Sequence, residues 1–407
     1  MKNFLNSMKA MLLLALIGSV VTSCDNSIED EMLNESSEAT LNVKSGFADN
    51  KGGKSTYVVQ FNDDVVLKSE LKGLKGYEKK AVRMKSHVVK FLKGNGISEE
   101  NVEHTYSTAI QGFSVKLNEN QVAKLLLDPR VKRVEKDIQI SLGKPGGGST
   151  QPAQETPWGI TRVGGAGDGT GKTAWIIDSG IDMDHPDLNV DVARSKTFIT
   201  QGKTTPDDQH GHGTHVAGTV AALDNSIGVI GVAPNAKVVS CRVLDRRGNG
   251  NMSWSMAALD YIAAEGQPGD AVNMSLGPKS RYTYDAYDET VKSVADLGIL
   301  ISIAAGNSSD DALYYSPARA NHPNVYTVSA SDINDNFASF SNYGTPVDVC
   351  APGVNVKSCY LNGGYGTMSG TSMAAPHVCG LLLLGPINTD GYVNNDPDGN
   401  ADPIAHR

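Results

Sequence analysis

The sequence predicts an α/β protein: a three-layer αβα domain around a largely parallel central sheet, preceded by a smaller α+β unit. Three observations predict it. Uninterrupted apolar runs such as GILISIAAG at 298–306 read as strands buried on both faces. These runs alternate with segments of helical spacing, the order that produces parallel sheets covered by helices. Ahead of them, beyond a Pro-Gly-Gly-Gly linker at 145–148, lies a stretch of short strands and helices with its own apolar pattern.

Along the chain, Lys2 and Lys9 precede an apolar run at 11–21 that is too short to span a bilayer, so residues 1–23 read as a signal peptide. Val21-Thr22-Ser23-Cys24 resembles a bacterial lipobox, which makes Cys24 a lipidation site and the lipid a link to a membrane. Residues 25–54 are polar and acidic and read as a flexible tether, with a mean reach of roughly 30 Å. Residues 55–142 form the α+β unit, with strands expected at 55–61, 112–117 and 131–140 and helices at 68–92 and 118–127. The cluster Lys79, Lys80, Arg83 and Lys85 reads as a solvated helix face. Residues 143–152 are an exposed linker open to proteolysis.

The large domain is expected over 153–385. Its strands are read at 173–178, 237–244, 270–276, 298–306, 325–331 and 347–351, and its helices at 213–223, 253–265, 285–297 and 372–384. Gly385-Pro386 stops the last helix, and 386–407 reads as a polar, turn-rich tail.

Composition narrows function before any motif does. The 407 residues carry 36 Lys+Arg against 45 Asp+Glu, a net charge of −9, which argues against a general nucleic-acid partner. Five cysteines do not make a disulfide scaffold; beyond Cys24, the remaining Cys241, Cys350, Cys359 and Cys379 allow three pairings.

Chemistry concentrates at strand ends and helix starts, where parallel sheets place their sites. Asp178 closes a strand in WIIDSGID, His212 opens a helix in HGHGTHVAG, and Ser372 opens another in GTSMAAPHV. A serine hydroxyl is a weak nucleophile until an imidazole takes its proton, and a buried carboxylate fixes that imidazole's tautomer. A tetrahedral oxyanion also needs donors, and Asn307, just past the strand ending ISIAAG, is placed to supply one. His215 and His377, on the same two helices, read as packing or hydrogen-bonding residues, and His210 is assigned no role.

With these motifs in this order the chain resembles the subtilisin-like serine peptidases. The resemblance implies a triad of Asp178, His212 and Ser372, with Asn307 and the Ser372 amide holding the oxyanion. It implies that peptide substrates lie as an added strand between Gly248-Asn249-Gly250 and Ser275-Leu276-Gly277. Ala304-Ala305-Gly306 would wall a primary pocket roomy enough for large apolar side chains. The loop at 223–229 resembles a calcium loop, implying Ca²⁺ held by Gln154, Asp187, Leu223, Asn225, Ile227 and Val229. Because Gln154 follows the linker, that site is expected to complete itself only after the linker is cut. Residues 55–142 resemble the family's propeptide, so the chain's own N-terminal unit is expected as its inhibitor, removed by self-cleavage between 142 and 153.

The implied function is an exported, autoprocessed serine endopeptidase of broad, apolar-leaning specificity, carried as an envelope lipoprotein from which the catalytic domain is released. The other readings are a catalytically silent peptide binder of the envelope and a narrow processing protease. The family usually continues past the serine helix, so the short tail leaves the edge of the sheet without an evident cover.

Overall fold

The structure is a computed structural model that describes residues 53–63, 65–66, 68–142 and 152–407. The signal segment, Cys24, nearly all of the tether and most of the linker lie outside the described residues.

The N-terminal unit contains β1 (Ser55–Phe61), α1 (Lys68–Lys72), α2 (Tyr77–Gly94), β2 (Val102–Tyr106), β3 (Gly112–Leu117), α3 (Glu119–Leu126) and β4 (Val131–Lys136). Its four strands form an antiparallel sheet in the order β2-β3-β1-β4. Phe61, Phe113 and Val115 pack there against Met84, Val88, Phe91 and Leu92 of α2. The helix expected over 68–92 is two helices, because Gly76 stands at φ +83°, outside the helical region. Asn118 and Gln121 close a reciprocal capping box on α3.

The strand expected over 131–140 is also divided. After β4, the Asp137 amide makes a last bond to Thr56 O of β1 at 2.9 Å, while its carboxylate accepts from the Ser253 amide at 3.0 Å and the Ser253 hydroxyl at 2.6 Å. The chain then continues as β5 (Gln139–Ser141), which pairs with the large domain instead.

The large domain begins with α4 (Trp158–Arg162) and β6 (Thr173–Asp178), then β7 (Lys196–Thr197), α5 (His212–Ala221), β8 (Lys237–Arg242), β9 (Asn249–Asn251) and α6 (Met252–Glu265). It continues through β10 (Ala271–Met274), α7 (Asp285–Ala295), β11 (Leu300–Ala304), β12 (Val325–Ser331), β13 (Val349–Pro352) and the hairpin β14 (Val356–Tyr360) and β15 (Gly364–Met368). It closes with α8 (Thr371–Leu384), β16 (Asn388–Tyr392) and β17 (Pro403–His406).

One nine-stranded sheet runs β16-β17-β13-β12-β11-β10-β6-β8-β7, parallel throughout except for the β16–β17 pair. Alternate residues of β6 serve two cores. Trp175 and Ile177 pack with α6 and α7, whereas Ala174 and Ile176 pack with α5 and α8. Both faces are therefore covered, which is why the strands read as continuous apolar runs.

The expectation of a polar tail over 386–407 is corrected. Two strands form there, and β17 pairs parallel with β13, covering the sheet edge that the sequence left bare. Val393 and Ile404 bury themselves with Cys350, and the Arg407 amide donates to Val163 O at 2.9 Å. The apolar residues of the tail are too sparse to show a strand period; the backbone pairing sets the structure.

The two units are joined by reciprocal caps. Glu135 accepts from the Ala286 amide at 2.9 Å and the Asp285 amide at 3.3 Å, at the start of α7, while Asp137 serves the start of α6. In return, buried Asp260 of α6 accepts the amides of Ser107, Thr108 and Ala109. Free N–H groups at helix starts need acceptors, and here they come from the opposite unit. Among the described residues no helix is long and apolar enough to cross a membrane.

Candidate active site

Asp178 is the last residue of β6, His212 the first of α5 and Ser372 the second of α8. All three are buried or nearly so, at 0%, 4% and 9% exposed. The His212 Nδ1 lies 2.8 Å and 2.9 Å from the two Asp178 carboxylate oxygens. A carboxylate only accepts, so Nδ1 carries the proton and Nε2 keeps its lone pair. His212 and Ser372 line one cavity of about 560 Å³. The Ser372 hydroxyl donates to Ser275 O at 3.3 Å, and the helix start is clamped from the same side. Pro376 has no N–H for Ser372 O, four residues back; Ser275 Oγ takes that place, donating to Ser372 O at 2.9 Å.

Asn307 is oriented by its own oxygen. Oδ1 accepts from the Thr371 amide at 2.8 Å and hydroxyl at 3.0 Å, so Nδ2 is the end left to face the cavity. A Cβ placed on Gly370 would lie 3.5 Å from Asn307 Nδ2 and 3.6 Å from the Ser372 amide nitrogen. The two donors therefore flank one small space, which the glycine leaves open.

Six of the nine expected substrate residues line this cavity; Gly248, Asn249 and Gly250 do not. Ser275, Leu276 and Gly277 line one side, and Ala304, Ala305 and Gly306 line its wall with Tyr315, Ala318 and Phe340. Beyond them, β9, which contains Asn249 and Gly250, pairs antiparallel with β5 of the N-terminal unit. The Leu142 amide donates to Gly248 O at 2.8 Å, and Ser141 and Leu142 reach the same cavity as Ser372. Glycine is required at both ends of this segment. A Cβ would sit 2.2 Å from Val243 O at Gly250, and 2.9 Å from Leu142 Cβ at Gly248.

The residues expected to hold Ca²⁺ do not line the cavity, and several of them bond one another. Buried Asp187 accepts from Asn225 Nδ2 at 2.7 Å and the Val229 amide at 3.2 Å, Gln154 Nε2 donates to Leu223 O at 2.9 Å, and Ile227 bridges Ala153. Burial raises the Asp187 carboxyl pKa. The expectation that Gln154 joins the loop only after cleavage is corrected. Residues 152–155 already dock on 226–229 through backbone bonds.

Several residues that carry the geometry were not found by sequence reasoning. Ser179 Oγ accepts from the Gly213 amide and Asp208 from the Gly211 amide, on either side of His212, and Thr371 beside Ser372 donates to Asn307. Asp208 had a readable signal: an acid just before a helix start complements the helix dipole. His210, assigned no role, lies beside the site; its ring centroid is 6.3 Å from that of His212, and a Cβ on Gly248 would come within 3.0 Å of its Nε2. Burial, then the neighbouring His212 charge, lowers the His210 pKa. His215 and His377 bond backbone carbonyls, and burial pushes them down to about 3 and about 4. All four cysteines of the large domain are buried and unbridged; burial raises the thiol of Cys379, seven residues after Ser372.

Residues 169–385 match the family described as Subtilase family. The "Alkaline protease" of Alkalihalobacillus alcalophilus is 36% identical over 337 residues, covering 81% of each chain. The chain belongs to the subtilase family. It is a serine endopeptidase of subtilisin-like fold. Residues 56–142 of this subtilase match Peptidase inhibitor I9, so the N-terminal unit is an inhibitor-type propeptide. Subtilisin Savinase of Lederbergia lenta is 42% identical over 238 residues, 57% of this chain and 84% of that one. A solved structure titled "Crystal structure of a cold adapted subtilisin-like serine proteinase" superposes with a TM-score of 0.54 at 34% identity, covering 61% of this subtilase and 97% of that chain.

Proposed function

We propose that this subtilase cuts peptide bonds through Ser372, His212 and Asp178, and that it releases itself from its propeptide by the same chemistry. The supporting observation is that His212, bonded to the buried Asp178, and Ser372 line a cavity that Ser141 and Leu142, at the end of the described propeptide, line as well. Ser372 Oγ attacks the carbonyl carbon while His212 Nε2 takes the hydroxyl proton. The oxyanion is held by Asn307 Nδ2 and the Ser372 amide. His212 returns the proton to the leaving amine, giving an acyl-enzyme. Water then attacks the ester, His212 again taking and returning the proton, and the acid product departs. A serine-directed fluorophosphonate reagent tests this reading: it labels the processed enzyme at Ser372.

Asn307→Ala is expected to lower kcat by about 10²–10³ with little change in KM, a magnitude known from subtilisin itself. The donor acts on charge that exists only in the transition state. An unchanged kcat measured on active-site-titrated enzyme excludes the role.

Specificity is broad and apolar-leaning: among the described residues no carboxylate lines the cavity, and small residues form its wall. Leu142 lines the same cavity as Ser372, which supports self-cleavage between 142 and 153.

A structural Ca²⁺ belongs in the 223–229 loop. The residues fit it: Asp187 is fully buried with no Lys or Arg ion pair among the described residues, amid carbonyl and carboxamide oxygens. The Tyr365 hydroxyl faces the Asp187 carboxylate, and a Cβ on Gly228 would lie 2.1 Å from it. Calcium would supply charge neutralisation for Asp187 and a tie between the loop and Gln154. Chelation should lower Tm by roughly 5–10 °C, reversed by added Ca²⁺; a melting curve indifferent to both counts against the site.

The N-terminal signal and lipobox support export and attachment through lipid on Cys24, on the propeptide side of the cut. Full cleavage and propeptide loss then free the catalytic domain. Membrane fractionation reads this directly, since Cys24→Ser should leave the uncut chain soluble; uncut chain still sedimenting with membranes would defeat it.

A further inference from the structure

Helix α5 carries His212 as its first residue, yet its cap position is Gly211, which offers no side chain to the free amides of the first turn. Those amides are satisfied from elsewhere. The Gly213 amide donates to Ser179 Oγ at 3.0 Å, and Thr214 donates to Asp208 Oδ2 through its amide at 3.0 Å and its hydroxyl at 2.7 Å. The other Asp208 oxygen accepts from Ser179 Oγ at 2.9 Å, the His210 amide at 2.8 Å and the Gly211 amide at 3.0 Å. Five hydrogen bonds thus meet on one buried carboxylate. They come from the residue after Asp178, from the two residues before His212 and from the second residue after it.

The backbones beneath this carboxylate touch directly. A Cβ on Gly213 would lie 2.1 Å from Gly180 O and 3.1 Å from Asp178 Cβ, and one on Gly180 would lie 2.8 Å from the backbone of Asp208. No side chain is wedged between the strand end and the helix start to set their spacing. The polar network around Asp208 is what does so.

We propose that Asp208 is a positioning residue for the reaction: it sets the main chain of His212 against that of Asp178, so that the imidazole meets both the carboxylate and the serine. The inference rests on the assignment of His212 as the general base. It goes beyond that assignment by giving a buried acid outside the triad control of the triad's alignment. A misplacement of about 1 Å in a reacting group costs on the order of 100-fold in rate.

The test uses the full chain after its own processing, with active sites counted by a fluorophosphonate. Asp208→Asn keeps the shape but turns an N–H₂ toward hydrogen-bond donors. Its kcat per labelled site is expected to fall about 100-fold with KM within about twofold. The proton magnetic resonance of the His212 Nδ1–H, bonded to Asp178, should broaden or move. A general loss of stability would lower the number of labelled sites and leave kcat per site and this resonance as in the parent. A kcat per site within about threefold of the parent, with the resonance in place, overturns the proposal. If Asp208→Asn yields no folded protein, Ser179→Ala decides; it removes one hydroxyl of the same network and should cost about tenfold in kcat per site, and an unchanged value overturns the proposal. Failure of the underlying assignment looks different: the parent enzyme would then not label at Ser372.

Discussion

Ser372→Ala is expected to leave the chain uncut. Expressed in full length, the parent should yield two fragments separated within 143–152, and the variant a single band with the propeptide still covalently attached. Hydrolysis of a peptide substrate should fall by about 10⁶-fold, the scale known for loss of the serine in subtilisin. The reason is chemical rather than architectural. The Ser372 hydroxyl lines the same cavity as His212 and Asn307, and alanine keeps the backbone amide while removing the nucleophile. The fold should persist, because the Ser275 Oγ bond to Ser372 O at 2.9 Å does not involve the serine side chain. A variant that still cuts itself at the parent position would place the nucleophile elsewhere.

Asp178→Asn is expected to cost about 10⁴-fold in kcat at neutral pH. The carboxylate now faces Nδ1 with two acceptor oxygens and also takes the Ser179 amide at 2.7 Å. In the amide, an oxygen held on the Ser179 N–H turns the NH₂ toward Nδ1. That nitrogen must then accept, and Nε2 carries the proton. The ring keeps its place but presents N–H where a base is needed. KM should change little, since Asp178 is fully buried and touches no substrate. Kinetics on titrated enzyme check this; a loss of tenfold or less would mean the tautomer is set by another group.

These two results concern residues that were legible in the sequence, and the reason they were legible is local. Asp178, His212 and Ser372 each sit where one period of hydrophobicity gives way to another, and such junctions survive without knowledge of the tertiary structure. The parallel sheet was readable for a similar reason: burial on both faces makes strands such as Leu300–Ala304 nearly pure apolar runs. What stayed hidden depends on distant partners. The division of 131–140 at Asp137 is caused by Ser253, more than a hundred residues away. Asp208 carried a local signal in its place just before a helix start, but the bond that ties it to the strand carrying Asp178 comes from Ser179, 29 residues away. The tail went unread because Val393 and Ile404 gain their meaning only from Cys350.

The strands that close the chain carry a practical consequence. With β17 laid along β13, the last few residues shield a row of peptide groups that would otherwise stand open at the border of the parallel array. Shortening the protein just after Leu384 would spare every group that touches substrate, yet would bare an adhesive margin to which another molecule could add its own chain. Such a truncation should betray itself first as self-association at high concentration, while the monomers that remain go on cutting peptides.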